Sequence, residues 1–204
     1  MTEHYFAESP RVASHPATIR VTLPGRTLEL TTDRGVFAHG QLDRGTELLL
    51  RSAPPPPADA DVLDFGCGYG PIAVFMALQQ PSARVWAVDI NERARALSAL
   101  NAERAGVANI TTVDPDGVPP GVRFSVIYSN PPVRLGKEAL HALLSTWLAR
   151  LTPGGAAYLV VQRHLGSDSL ATWLESTGFG AHRMRSRQGY RLLEVRPGAA
   201  APHD

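Results

Sequence analysis

From residue 61 onward, short apolar runs alternate with stretches of helical periodicity, and this alternation limits the fold more than any other feature. Apolar runs fall at 61–65 (DVLDF), 84–89 (RVWAVD), 109–113, 124–129 (FSVIYS) and 156–162. Between them lie helical patterns at 71–80, 91–105 and 136–151, with a further one at 169–177. In the third, Leu140, Leu143, Leu144, Trp147, Leu148 and Leu151 recur at the spacing of one helix face. Parallel strands need a crossover of a dozen or more residues, usually a helix. The pattern therefore predicts an α/β fold with a mainly parallel sheet covered on both faces. Residues 179–195 read as two strands around Gln188-Gly189. No helix fits between them, so this closing pair must be antiparallel.

The stretch before residue 61 reads differently. Residues 18–23 and 27–32 are β-rich and flank Pro24-Gly25-Arg26, which predicts a hairpin. A leucine-rich helical pattern follows at 46–51, then SAPPPPADA at 52–60. Its four prolines cannot donate backbone hydrogen bonds, so it reads as an extended lead-in to the next element. The expected organisation is an N-terminal extension, 1–57, too small for a core of its own and packed on a main domain, 58–196. A frayed tail, 197–204, ends the chain. Hydrophobic residues at 44% and charged residues at 19% fit a globular protein and exclude wholesale disorder. No apolar run approaches the roughly 20 residues that cross a bilayer, and the start lacks the pattern of a secretory signal. Cys67 is the only cysteine, so no internal disulfide forms and a cytoplasmic setting is expected. The seven histidines show no zinc-like spacing, and no metal is expected.

Asp64-Phe65-Gly66-Cys67-Gly68-Tyr69-Gly70 follows the first strand of the main domain directly. Glycines there allow positive φ and close approach of a ligand to the backbone. In open α/β sheets ligands bind beyond the carboxyl ends of the strands. A dinucleotide fingerprint would need glycine at 71, where the chain has Pro71, and a phosphate-cradling P-loop would need Gly-Lys-Ser/Thr after these glycines, which is absent. The D-x-G-C-G-x-G that remains resembles the first motif of class I S-adenosylmethionine-dependent methyltransferases. That resemblance implies a Rossmann-like, seven-stranded, mainly parallel sheet with an antiparallel C-terminal strand. It implies that Gly66, Cys67, Gly68 and Gly70 surround the cofactor, with Asp64 close to its methionine part. Cys67 is then a packing position, not a nucleophile. Asp89 ends the next strand, where a carboxylate accepts from both ribose hydroxyls, and Ile90 would pack against adenine. Alternatively, Asp89 only caps the helix that starts near Asn91. Asp116 aligns best with an acid that meets the adenine amino group, with Asp114 second; a solvated turn is the other reading of both.

Asn130-Pro131-Pro132 closes the fourth strand of the main domain. It resembles the catalytic motif of amino-group methyltransferases, which act on exocyclic nitrogens of adenine or guanine or on the glutamine amide. Such a nitrogen is a poor nucleophile because its lone pair is delocalised. The Asn130 side-chain oxygen and the Pro131 carbonyl can accept its two N–H bonds and aim the lone pair at the sulfonium methyl. Proline stiffens the loop, so these acceptors are held in place before substrate arrives. No strong base is required. Asn130 is thus assigned both to catalysis and to the cofactor site.

The likeness extends to His4-Tyr5-Phe6, to DRGVF at 33–37, to Leu42-Asp43-Arg44-Gly45-Thr46, to NPPVRLGK at 130–137, to Val161-Gln162-Arg163 and to Gly189-Tyr190. Together these resemble the small-domain methyltransferases related to the bacterial 16S rRNA guanine-N2 methyltransferases. The family places Thr46 near the methionine end of the cofactor. It makes RNA, as 16S rRNA or a small ribosomal subunit, the expected partner; Arg134 and Lys137, which follow Asn-Pro-Pro directly, could meet phosphate near the target base. Arg183, Arg185 and Arg187 alternate and, on a regular strand, would share one face. Tyr69, Tyr128 and Phe37 could stack on a flipped base, although core packing is the more ordinary use of each. Rival readings are an adenine-N6 or glutamine-N5 methyltransferase, against which Val133 replaces the usual aromatic, and a cofactor- or RNA-binding module without catalysis. A nicotinamide oxidoreductase is disfavoured by Pro71 and the terminal hairpin. Oligomeric state is left open by the sequence.

Overall fold

The computed structural model describes residues 9–10 and 12–198. His4-Tyr5-Phe6 and 199–204 lie outside the described residues. Two sheets form. The smaller is a hairpin of β1 (Ala17–Leu23) and β2 (Arg26–Thr32), antiparallel, with Gly25 at φ 76° in the turn. Helix α1 (Arg44–Ser52) follows. It starts two residues before the leucine pattern because Asp43 caps it, accepting from the amides of Gly45 (2.8 Å) and Thr46 (3.0 Å).

The larger sheet holds β3 (Asp61–Phe65), β4 (Arg84–Val88), β5 (Ile110–Val113), β6 (Phe124–Ser129), β7 (Leu151–Gln162), β8 (Phe179–Arg187) and β9 (Tyr190–Pro197). Their order is β5-β4-β3-β6-β7-β9-β8. The first five strands are mutually parallel, and β9 runs antiparallel to both its neighbours. The last of the described strands is therefore inserted between two earlier ones. The crossovers carry α2 (Pro71–Gln79), α3 (Glu92–Arg104), α4 (Lys137–Leu148) and α5 (Ser167–Ser176). The parallel order reverses between β3 and β6, which places the carboxyl ends of these strands at the switch point where ligands bind such sheets.

The sheet separates two cores. One face packs α1, α2, α3 and the hairpin, so Val21, Leu23, Leu28 and Leu30 share a cluster with Phe75, Leu97 and Leu192. The other packs α4 and α5 through Leu144, Trp147, Leu170, Leu174 and Leu193. Neighbouring Leu192 and Leu193 thus belong to opposite cores, as the two-residue period of a strand requires. Asn101 of α3 ties the hairpin down, accepting from the Thr31 amide at 2.7 Å and donating to the carbonyls of Thr31 (2.9 Å) and Tyr69 (2.8 Å). Arg93 of α3 donates to the Val12 and Arg34 carbonyls, so the loop after β2 is held over the carboxyl end of the sheet.

Two details depart from expectation. β7 begins at Leu151, five residues early, because Leu151 pairs with Phe124 across a register shift; the intervening Thr-Pro-Gly-Gly hides this from a strand pattern. β8 also shifts register between Arg183 and Arg185. Arg183 pairs with Leu193, whereas Arg185 and Arg187 pair with Leu192 and Tyr190. Directly opposed residues project to the same face. Arg183 therefore stands apart from the other two, and the expectation of one shared face fails.

Candidate active site

A cavity of about 410 Å³ opens at the carboxyl ends of β3, β4 and β6. Its size falls within the range of sites that enclose a small molecule. Gly66 and Gly68 form part of the wall at φ 70° and 56°, the left-handed region that glycine adopts without strain. The Gly66 and Cys67 amides bond the Val88 carbonyl at 2.8 and 3.1 Å, stitching the loop to β4. A side chain at Gly68 would meet nothing within 4 Å: its Cα faces open space.

Asp89 lines the cavity with its carboxylate already ordered. One oxygen accepts from the Asn91 amide and the other from the Gly68 amide, both at 2.9 Å. Each oxygen keeps a lone pair, enough for two hydroxyl donors. Burial raises its pKa above the ordinary carboxylate value, while the Asn91 and Gly68 amides oppose this. Asn91, not Asp89, caps α3, accepting from the amides of Arg93 and Ala94. Ile90 beside it is 41% exposed, a half-open apolar surface on the same wall.

Asp64 is buried behind the loop and does not line the cavity. One of its oxygens accepts from the Ala73 amide at 3.0 Å; the other is buried without a partner. Burial pushes its pKa up to about 8, against the Ala73 hydrogen bond and with help from the Asp89 charge. The ordered Asp89 acceptors, the half-exposed Ile90 and the open face of Gly68 fit a nucleoside ligand.

Asn130 and Pro131-Pro132 form the opposite wall. A Cβ placed on Gly66 would come within 4.0 Å of the Asn130 carbonyl oxygen and of Pro132 Cδ, so the two motifs stand face to face. The Ser129 hydroxyl donates to the Phe65 carbonyl at 2.7 Å and locks the ends of β6 and β3 together. The Asn130 amide nitrogen donates to Asp43 Oδ1 at 2.7 Å and to Thr46 Oγ1 at 3.1 Å. A carboxylate only accepts, so the amide has one orientation, and its oxygen is left for another donor. Asp43 Oδ2 accepts from the Tyr190 hydroxyl at 3.0 Å, which in turn accepts from Gln162 Nε2 at 2.6 Å. Burial raises the Tyr190 pKa, so this phenol stays a donor. A Cβ at Gly45 would sit 2.6 Å from Cδ1 and Cε1 of the Tyr190 ring, so the close approach of the ring requires glycine here. The Pro131 carbonyl accepts from the Val133 amide at 2.8 Å and retains one lone pair.

The structure thus brings Gly66, Gly68, Asp89, Ile90, Asn130, Pro131, Pro132 and Arg134 to one cavity. It sets other expected residues elsewhere. Thr46 contacts Asn130 and not the cavity. The Cys67 thiol is buried, its pKa raised by that burial, and Gly70 packs against Ser98 of α3. Asp116 is exposed while its neighbour Pro115 lines the wall, and Asp114 is occupied by the Gly117 amide at 2.8 Å. Lys137 is exposed outside the cavity. Tyr69 and Tyr128 are core residues whose hydroxyls donate to the carbonyls of Gln41 (3.0 Å) and Pro54 (2.7 Å), whereas Phe37 is 42% exposed at the rim. Asp43, Gln162 and Tyr190 carried no individual role in the sequence; only the motifs 42–46, 161–163 and 189–190 marked them. Among the described residues no His, Cys, Asp and Glu cluster could hold a metal, and no helix is long and apolar enough to cross a membrane.

Residues 27–194 match the family model described as methyltransferase small domain. The uncharacterized protein YbxB of Bacillus subtilis is 33% identical over 199 residues, covering 96% of this chain and 99% of that one. The ribosomal RNA small subunit methyltransferase C of Shewanella amazonensis is 33% identical over 171 residues, 81% of this chain and 49% of that protein. The chain thus spans about half the length of relatives of that name. Among solved structures, the 16S rRNA N2 methyltransferase (RsmC) of T. Thermophilus, in complex with AdoMet and guanosine, superposes with a TM-score of 0.77. It shares 24% identity and covers 92% of this chain and 52% of its own. At that identity the likeness speaks for the fold.

Proposed function

The chain belongs to the methyltransferase small domain family and is a methyltransferase that uses S-adenosylmethionine, and on that premise we propose that it methylates the N2 amino group of a guanine in 16S ribosomal RNA. The single observation behind the amino-group chemistry is the fixed Asn130 amide, with its nitrogen held by Asp43 and Thr46 and its oxygen unclaimed by them. When bound, S-adenosylmethionine supplies an electrophilic methyl on a sulfonium. Asp89 accepts the ribose hydroxyls, Ile90 covers one face of the adenine, and Gly66 and Gly68 let the cofactor lie against the backbone. Asn130 accepts one N–H of the substrate amine, and the remaining lone pair of the Pro131 carbonyl accepts the other. These acceptors orient the nitrogen lone pair and stabilise positive charge as it grows there. The proton leaves after transfer without a dedicated base. Residues 58–196 act as the catalytic domain, and the segment before them supplies Asp43 and a wall of the site.

The names of the relatives and the guanosine in the RsmC complex support guanine in small-subunit RNA as the target. Val133 supports it too, since the aromatic found after Asn-Pro-Pro in glutamine enzymes and many adenine enzymes is absent. An RNA substrate also fits a cytoplasmic site of action. The test is tritium transfer from labelled S-adenosylmethionine to unmodified 16S rRNA, small subunits, DNA and a protein extract in parallel. Label recovered as N2-methylguanosine is the expected result. Label confined to DNA or protein overturns the substrate, and no transfer at all overturns the activity.

A further inference from the structure

Beside the catalytic cavity lies a second groove, at the tip of the β8–β9 hairpin. It is lined by Arg163, Arg183, Arg185, Arg187 and Arg191, and by no carboxylate. The chain as a whole carries 20 basic and 19 acidic residues, so five of its 20 cations are gathered on one small surface. No acidic residue occurs between Glu175 and Glu194. Arg191 pairs with Asp168 of α5. Arg163, Arg183, Arg185 and Arg187 are exposed and make no ion pair among the described residues.

We propose that this arginine groove is where the RNA backbone docks, and that it leads the strand into the catalytic cavity. Tyr190 lines both spaces, so the groove and the cavity meet at the residue that holds Asp43. The register shift in β8 gives the groove its breadth: Arg185 and Arg187 stand on the side of Tyr190, and Arg183 on the side of α5. The Arg163 amide bonds the Gly189 carbonyl at 2.7 Å, fixing the arginine turn to the hairpin tip. Unpaired guanidiniums at close quarters repel one another, and an anionic polymer relieves that repulsion while its counterions are released. Arginine's planar fork matches phosphate oxygens in two directions. β8 is an edge strand, and single charges commonly guard such edges against pairing. Edge protection, however, works with either sign, and does not account for a groove of one sign opening beside the active site. The contacts proposed position the RNA; choice of base stays with the cavity.

This inference rests on the RNA reading above, and its test separates the two. Binding of unmodified 16S rRNA is measured across a salt series for the native chain and for a variant carrying Arg163→Gln, Arg183→Gln, Arg185→Gln and Arg187→Gln. The variant is expected to bind S-adenosylmethionine normally, to lose RNA affinity about tenfold or more, and to flatten the salt dependence by roughly 3 in log–log slope. The corresponding Lys variant should regain most of the affinity. If the native chain methylates RNA and the Gln variant binds it with unchanged affinity and salt slope, the groove is not the docking surface. If the native chain neither binds nor methylates RNA, the RNA reading falls and this inference with it. Should the fourfold variant aggregate, the pairs Arg163→Gln with Arg187→Gln and Arg183→Gln with Arg185→Gln carry the same comparison.

Discussion

Asp43 and Asn130 are 87 residues apart in the chain, yet the Asn130 amide donates to the Asp43 carboxylate across 2.7 Å. The same carboxylate oxygen caps α1 through the amides of Gly45 and Thr46. One half-buried carboxylate oxygen thus sets both the start of a helix and the orientation of the Asn130 amide. Asp43→Ala frees the amide to rotate and present its nitrogen to the substrate amine. Methyl transfer should fall on the order of 10²-fold in kcat, with cofactor affinity nearly unchanged. Titration calorimetry beside the transfer assay separates the two. Tyr190→Phe, which removes one donor to Asp43, should show the same split at smaller size.

Asn130→Ala removes the side-chain oxygen proposed to accept from the substrate amine. Its loss should appear in kcat, by roughly 10² to 10³, and only weakly in the dissociation constant of S-adenosylmethionine. Undiminished transfer in this variant would end the catalytic assignment of Asn130.

Asp89→Ala should behave in the opposite way. It removes the cavity carboxylate that the Gly68 and Asn91 amides hold in place. Cofactor affinity should drop by about 2–3 kcal/mol, the scale of charge-assisted hydrogen bonds, while kcat at saturating cofactor changes little. Equilibrium binding of S-adenosylhomocysteine reads the effect without turnover.

Asp64 predicts a pH dependence of stability. Its pKa in the folded chain, pushed up to about 8, lies above its ordinary value of 3.8. The native state therefore holds a proton that the unfolded chain releases, and stability falls as pH rises between about 4 and about 8. Asp89, raised by burial in the same direction, adds to the slope. Asp64→Asn carries no such proton and should flatten the dependence. Urea unfolding of the ligand-free chain across that range checks it; equal slopes in both proteins would contradict the burial argument.

The strand and helix succession was readable because each element carries its own period, and the glycine loop and Asn-Pro-Pro fall where a strand ends. Distribution of roles inside the site was harder to read. Thr46 and Asp64 sit in the expected motifs, yet the one touches Asn130 and the other lies behind the loop. Motif spacing reports which segments converge; it does not report which atoms reach the cavity. Asp43 and Tyr190 belong to segments 147 residues apart, and no local pattern links a helix cap to a residue of the last strand. The register shift in β8 was invisible for a related reason. Met184 is an exposed residue, so no apolar alternation marks the place where the count changes.

The position of β9 inside the sheet has a temporal consequence. A ribosome making this chain delivers Asp43, the glycine loop and Asn130 well before Tyr190. Until β9 arrives, β7 presents an unpaired edge, and the Asp43 carboxylate that holds the Asn130 amide lacks its phenolic partner. A growing chain can assemble the wall of Gly66, Gly68 and Asp89 early, but Asp43 gains the Tyr190 hydroxyl only once β9 has entered between β7 and β8.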